Sequence, residues 1–226
     1  MSKDQSNLIN ISVNVLIPTL ILLKGIPFFQ VNPFNRLLIA LSFPFFYGVF
    51  ELMKSKKTNM FSVLGVVSIL LTGGIGLLKL SSGWLAIKEA LIPSLIGFTL
   101  IMSAYLKKPL VKLLFNKFLN ISIINEALIK KNKEFFFEKC CIEITYYIGG
   151  TFFISAILNY FITRMVVTAS PGTLLFMEQL GRLTFISYFV IAIPCMFILI
   201  LICYFTIKKL KSITGLKFED MLILNR

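Results

Sequence analysis

Six apolar stretches, near Ile9–Phe29, Arg36–Met53, Asn59–Leu80, Trp84–Leu106, Ile142–Thr163 and Leu183–Ile207, alternate along the chain with polar breaks, the longest of them over 107–141. Each is long enough to cross a bilayer, which takes about 20 mostly apolar residues in a helix, because the hydrocarbon core holds no water to satisfy a backbone that is not internally hydrogen-bonded. The pattern predicts an all-α fold, a single polytopic transmembrane helical bundle over residues 1–226 with six spans and no separate soluble domain. The first stretch begins polar and has no small-residue cleavage site behind it, so it reads as a retained helix and not as a signal peptide.

The breaks carry structure of their own. In KKPLVKLLFNKFLN, Lys108, Lys112 and Asn116 recur four apart while Leu110, Leu113, Leu114 and Phe118 fall opposite, which predicts an amphipathic helix lying at the membrane surface. The rest of the connector over 107–141, INEALIKKNKEFFFEKCC, mixes Glu126, Glu134 and Glu138 with lysines and is expected to continue as helix into the fifth span. An interfacial connector is the simpler reading, a docking surface the sharper one. Between Arg164 and Arg182 a turn at Ser170, Pro171 and Gly172 precedes a short helical pattern. There Leu174, Leu175, Met177 and Leu180 are expected against the bilayer surface, with Glu178 facing Arg182 one turn on. Pro18, Pro44, Pro93 and Pro194 lie inside spans and predict kinks, each freeing the carbonyl four residues earlier, at Asn14, Ala40, Glu89 and Val190.

Composition supports the membrane assignment. Hydrophobic residues make up 57% of the chain and charged ones 15%, against roughly a quarter charged in soluble domains. Of 23 Lys and Arg, 17 fall on one side: Lys3, the Lys54, Lys56 and Lys57 group, eight lysines from Lys107 to Lys139, then Lys208, Lys209, Lys211, Lys217 and Arg226. Lys24, Arg36, Lys79, Arg164 and Arg182 fall on the other, with Lys88 inside a span. The excess of positive charge on cytoplasmic loops then puts both termini in the cytoplasm. The net charge of +13 is spent beside anionic head groups and not on nucleic acid, each such lysine contributing about 1 kcal/mol near the surface.

Little in the chain carries chemistry. It has no histidine, which removes the usual general base and the commonest metal ligand, so no catalytic residue, metal or cofactor is expected and the chain does not read as an enzyme. Cys140, Cys141, Cys195 and Cys203 read as small buried residues. Gly73, Gly74 and Gly76 fit close helix packing better than a phosphate loop.

The exception is the pair Lys88 and Glu89 in the fourth span, which lies roughly 6 to 8 Å inside the interface marked by Trp84 at 1.5 Å per residue. Sequence neighbours on a helix point about 100° apart, so the two are poorly placed to pair with each other and at least one must look inward. Candidate partners are Asn14, Asn159, Arg164, Glu178 and Arg182; Glu89 with Arg164 or Arg182, and Lys88 with Glu178, would form an ionic cluster near the outer face. Ionisable residues within a span mark functional sites by default, and a clamp between helices is the structural alternative. Asn159 by itself fits an interhelical hydrogen bond better than a ligand.

KTNMFSVLGVVSILLTGGIGLL, WLAIKEALIPSLIG, KKPL, ILNYF and SPGTLLFMEQLGRLT together resemble an uncharacterised family of bacterial integral-membrane proteins. That family is similar, more distantly, to the intracellular septation protein A group, through helix order, a lysine and proline in the corresponding helix, a lysine-proline after it and the Leu158-Asn159 pair. The resemblance covers nearly the whole chain. It implies a multi-pass inner-membrane protein tied to envelope maintenance, with membrane-protein partners or further copies of itself, and supplies no substrate, cofactor or catalytic residue. The acidic tail GLKFEDML is then a protein contact or a frayed end. A small-solute transporter or permeation pathway around Lys88, Glu89, Asn159 and the outer arginines is the alternative.

Overall fold

The computed structural model describes residues 12–24, 32–55 and 60–223. Lys3, Lys56, Lys57, Arg226 and the ends of the first expected span lie outside the described residues. The described residues form helices and short turns with no strand among them: a π-helical turn Ser12–Leu16 leading into α1 (Ile17–Lys24), α2 (Pro33–Ser55), α3 (Met60–Leu77), α4 (Ser82–Tyr105), α5 (Val111–Phe118), α6 (Ile121–Ile129), α7 (Phe136–Val166), α8 (Leu174–Ser187), a second π turn Tyr188–Ala192, α9 (Ile193–Thr214) and α10 (Phe218–Met221). Three helices are long and apolar enough to cross a membrane, Ser82–Tyr105, Phe136–Val166 and the continuous stretch Leu174–Thr214. They cover the fourth expected span to within one residue, and contain the fifth and sixth and overrun those two at both ends.

These helices are apolar outward. On α9, Met196, Phe197, Ile200, Tyr204 and Phe205 are all more than half exposed, and a contiguous apolar surface of that kind is covered by lipid or protein and not by water.

The helix ends show how the chain satisfies its terminal amides and carbonyls. Asn32 Oδ1 accepts from Asn35 N at 2.8 Å ahead of Pro33 at the first helical position of α2, and the Thr173 hydroxyl accepts from Phe176 N at 3.1 Å to start α8. At the other end, α3, α4 and α6 close with paired bonds that turn the chain back: Leu80 N to Ile75 O with Lys79 N to Gly76 O, Lys108 N to Ser103 O with Lys107 N to Ala104 O, and Lys133 N to Leu128 O with Asn132 N to Ile129 O. Lys79, Lys107 and Asn132 take the left-handed conformation usually given to glycine. A lysine there also sets its charge against the negative end of the helix, worth about 0.3–1 kcal/mol.

The prolines divide into two pairs. Pro44 and Pro93 lie inside α2 and α4. Pro18 and Pro194 each stand second in an α-helix that follows a π turn, and the carbonyls of Asn14 and Val190, four residues earlier, belong to those turns. The wider turn moves the carbonyl clear of the pyrrolidine ring.

Packing groups the chain into two compact units: residues 1–92 with 156–192, and residues 93–155 with 193–226. In the first, α1 packs on α2 and α8, and α2 on α3, around Leu22, Leu37, Leu85, Phe176, Met177 and Leu180. Met177 and Leu180 are therefore core residues, contrary to their expected place against the bilayer, whereas Leu174 and Leu175 are exposed as expected. Glycines permit close approach here: a Cβ at Gly76 would collide with Leu37, one at Gly73 would stand 3.3 Å from Leu41, and one at Gly181 would stand 2.8 Å from Leu23. Gly74 faces open space.

In the second unit, Val111, Phe115, Ile124, Leu128, Cys141 and Met221 are among the buried core residues. The connector holds two short helices, α5 and α6, and its second part does not continue unbroken into the fifth span, since α6 ends at Ile129 and α7 begins at Phe136. α5 turns Val111 and Phe115 into this core and leaves Leu110, Leu113, Leu114 and Phe118 exposed, the arrangement expected of a helix lying on a membrane. The acidic tail is neither frayed nor free: Asn120 N bonds Met221 O at 2.8 Å and Ile223 N bonds Phe118 O at 3.0 Å, and Met221 is fully buried.

Helices α4 and α7 meet at glycine on both sides, since a Cβ at Gly97 would stand 3.0 Å from the Gly149 carbonyl and one at Gly149 would stand 2.8 Å from Ile101. Gly97→Leu and Gly149→Leu are each expected to destabilise the protein by about 1–3 kcal/mol, whereas Gly150→Ala, which meets nothing within 4 Å, leaves stability unchanged or raises it. Thermal unfolding of the detergent-purified variants measures all three.

Candidate functional site

Lys88 sits on the first half of α4 with only 6% of its surface exposed. An ammonium at that depth needs neutralising partners, because its desolvation costs several kcal/mol. It has two. Lys88 Nζ donates to Glu89 Oε1 at 2.7 Å and to Thr72 Oγ1 on α3 at 2.8 Å. The Thr72 hydroxyl spends its own proton on the Ser68 carbonyl at 3.0 Å, which leaves its lone pairs for the lysine.

The pairing expected from helix geometry is thereby corrected. Neighbours 100° apart do not face each other, but the four-carbon lysine stem is long and flexible enough to bring the ammonium round to the adjacent carboxylate. Glu89 retains 29% side-chain exposure, so the pair has one buried member and one that reaches the surface.

The wider cluster separates into independent pieces. Glu178 is bonded to Arg182 at 2.7 Å, one turn along α8, as the sequence predicts, and both are substantially exposed. Neither makes an ion pair with Lys88 or Glu89. Arg164 makes no ion pair among the described residues; its guanidinium lies across the first turn of α4, with Nη1 3.3 Å from where a Cβ would stand at Gly83. Asn159 is half-buried on α7 and engaged. The side chain of Asn14 lies outside the described residues.

Two contributors are not apparent from the sequence reading. Thr72 is as far before Leu80 as Lys88 is after it, and a register symmetric about the α3–α4 turn would have pointed to it. Arg36, counted only as an outer charge, donates through Nε to the Ile21 carbonyl at 2.6 Å and through Nη2 to that of Leu22. These are among the carbonyls that the last turn of α1 leaves without helical partners.

Chemically, the arrangement is a neutralised ion pair that ties α3 to α4 and exposes one carboxylate edge. Among the described residues no group of three or more metal-ligating side chains occurs. What the fold and site define is an all-helical protein with three helices long and apolar enough to cross a bilayer, one of them carrying a buried, internally paired lysine. No family model, curated protein or solved structure matches the chain.

Glu89→Gln leaves the Lys88 charge with the Thr72 hydroxyl and the new amide, and is expected to lower stability by up to about 3–5 kcal/mol, the range for breaking a buried pair. Lys88→Met together with Glu89→Gln removes the charge as well and is expected to recover most of that loss. Denaturation midpoints of Glu89→Gln, Lys88→Met and the double variant give the coupling directly.

Proposed function

We propose that the chain is a bacterial inner-membrane protein of the septation protein A-like type, with six spans and both termini in the cytoplasm, and that it maintains the envelope through contacts with other membrane proteins or with further copies of itself. The observation that carries this is the closed Lys88 site. A lysine 6% exposed and bonded to both Glu89 and Thr72 holds two helices together and has no free charge to offer a solute. The lysines agree with this topology: twelve of them, over 107–139 and 208–217, belong to the second unit. They flank the ends of α4, α7 and α9 where the cytoplasmic leaflet would be. The apolar outward faces of α4 and α7 supply the contact surface.

A second possibility, a small-solute transporter or permeation pathway with its polar site in the outer half of the fourth to sixth spans, is favoured by two hydroxyls. Thr19 Oγ1 and Thr163 Oγ1 are buried in the first unit without a hydrogen-bond partner, and such groups are rare unless a water or ligand serves them. Glu89, partly exposed, would be the group such a solute meets.

In-cell photo-crosslinking from the exposed Leu174 and Leu113 separates the two: recurrent capture of a membrane protein or of a second copy supports the first, and crosslinks to lipid alone support the transporter. For topology, a membrane-impermeant maleimide applied to intact cells whose native cysteines are replaced should label Ser81→Cys and spare Lys131→Cys. Reversed labelling would overturn the orientation.

A further inference from the structure

An open groove of about 1060 Å³ runs along most of α9, from Met196, onto the start of α10. Its walls change character along its length. Met196, Ile200 and Tyr204, each more than half exposed, line the apolar end, and Lys208, Lys211 and Lys217 line the other. Gly215 turns the chain there with φ 76°, and the Nζ of Lys131 lies 3.7 Å from where its Cβ would stand, which brings a fourth ammonium, from the connector, beside the groove without lining it.

Within the described residues none of these four lysines is in an ion pair; the carboxylates that reach lysines in this unit serve Lys112 and Lys209 instead. No carboxylate lines the groove. Glu219 and Asp220 follow on α10, exposed, and the C-terminus of α9 presents roughly half a negative charge. Four ammonium groups outweigh both.

We propose that this groove is a binding site for one anionic phospholipid, its phosphate held by Lys208, Lys211 and Lys217 and an acyl chain lying along Tyr204, Ile200 and Met196. Charge complementarity selects the occupant. An apolar solute leaves the lysines unused, and a free anion leaves the apolar end uncovered. An amphiphile with a phosphate at one end matches both, at the end of a long apolar helix where lysines meet head groups. The inference rests on the membrane placement of α9 proposed above. That placement is tested separately by whether the full chain stays in carbonate-washed membranes, which the groove variants leave unchanged.

The test uses the full-length protein in neutral detergent, titrated with phosphatidylglycerol or phosphatidylcholine and read by native mass spectrometry as lipid adducts and by the shift of the unfolding midpoint. Phosphatidylglycerol is expected to bind and stabilise, phosphatidylcholine to do neither. The triple variant Lys208→Gln, Lys211→Gln, Lys217→Gln is expected to weaken phosphatidylglycerol binding by roughly a hundredfold, and Ile200→Trp, at a position more than half exposed, to weaken it with all lysines intact. The control Lys108→Gln, Lys117→Gln, Lys139→Gln removes the same charge elsewhere and is expected to bind as the parent does. Equal loss in the control would make the effect diffuse surface attraction. Full competition by inorganic phosphate would make the groove a simple anion site. A monomer released by Ile200→Trp from a parent dimer would make it an interface between copies. Each of these three results would overturn the proposal.

Discussion

An amide or carbonyl left unpaired in apolar surroundings costs a few kcal/mol, and most of what this chain builds answers that constraint. With apolar side chains facing outward over α4, α7 and α9, the backbone has only itself to bond to, and the described residues are accordingly helical from turn to turn. The ends, where helices run out of partners, are closed by side chains and turns. Asn32 and Thr173 take up starting amides, Arg36 takes up the last carbonyls of α1, and Lys79, Lys107 and Asn132 accept a left-handed backbone so that the final carbonyls of α3, α4 and α6 are bonded.

The same constraint governs the one buried charge. An ammonium at the depth of Lys88 is tolerable only with its protons assigned, and Glu89 and Thr72 assign two of them. A buried ion pair of this kind contributes little net stability against an apolar substitute. What it supplies is registry: Thr72 and Lys88 can meet only if α3 and α4 are aligned about the turn at Leu80. A charge used in this way belongs to a fixed element of the bundle.

Much of the architecture was legible along the chain. The three longest spans, the turn at Gly172, the Glu178–Arg182 pair and the burial of Cys140 and Cys141 follow from apolar length, turn chemistry and helical spacing, all local properties. Gly73 and Gly76 pack as their composition suggests. The candidate site was legible only in its centre. Residues Lys88 and Glu89 stand out because charge is conspicuous in an apolar run, but their partners do not: a threonine in a span is ordinary, and a lysine's reach round its own helix depends on a rotamer no spacing rule contains. Met177 and Leu180 were misplaced for a related reason. An apolar stripe on a short helix faces lipid or core equally well, and only the packing of α1 against α8 selects the core.

By itself, then, the sequence determined that the chain is helical and where its longest apolar helices run, because length and hydropathy act residue by residue against the same solvent. The tertiary structure alone decided which polar groups meet. The Lys88–Thr72 bond, the Arg36 cap on α1, the Gly97–Gly149 crossing and the return of Met221 onto the connector each join residues far apart in sequence. Contacts of that kind depend on how helices are set beside one another, which no single stretch of chain encodes.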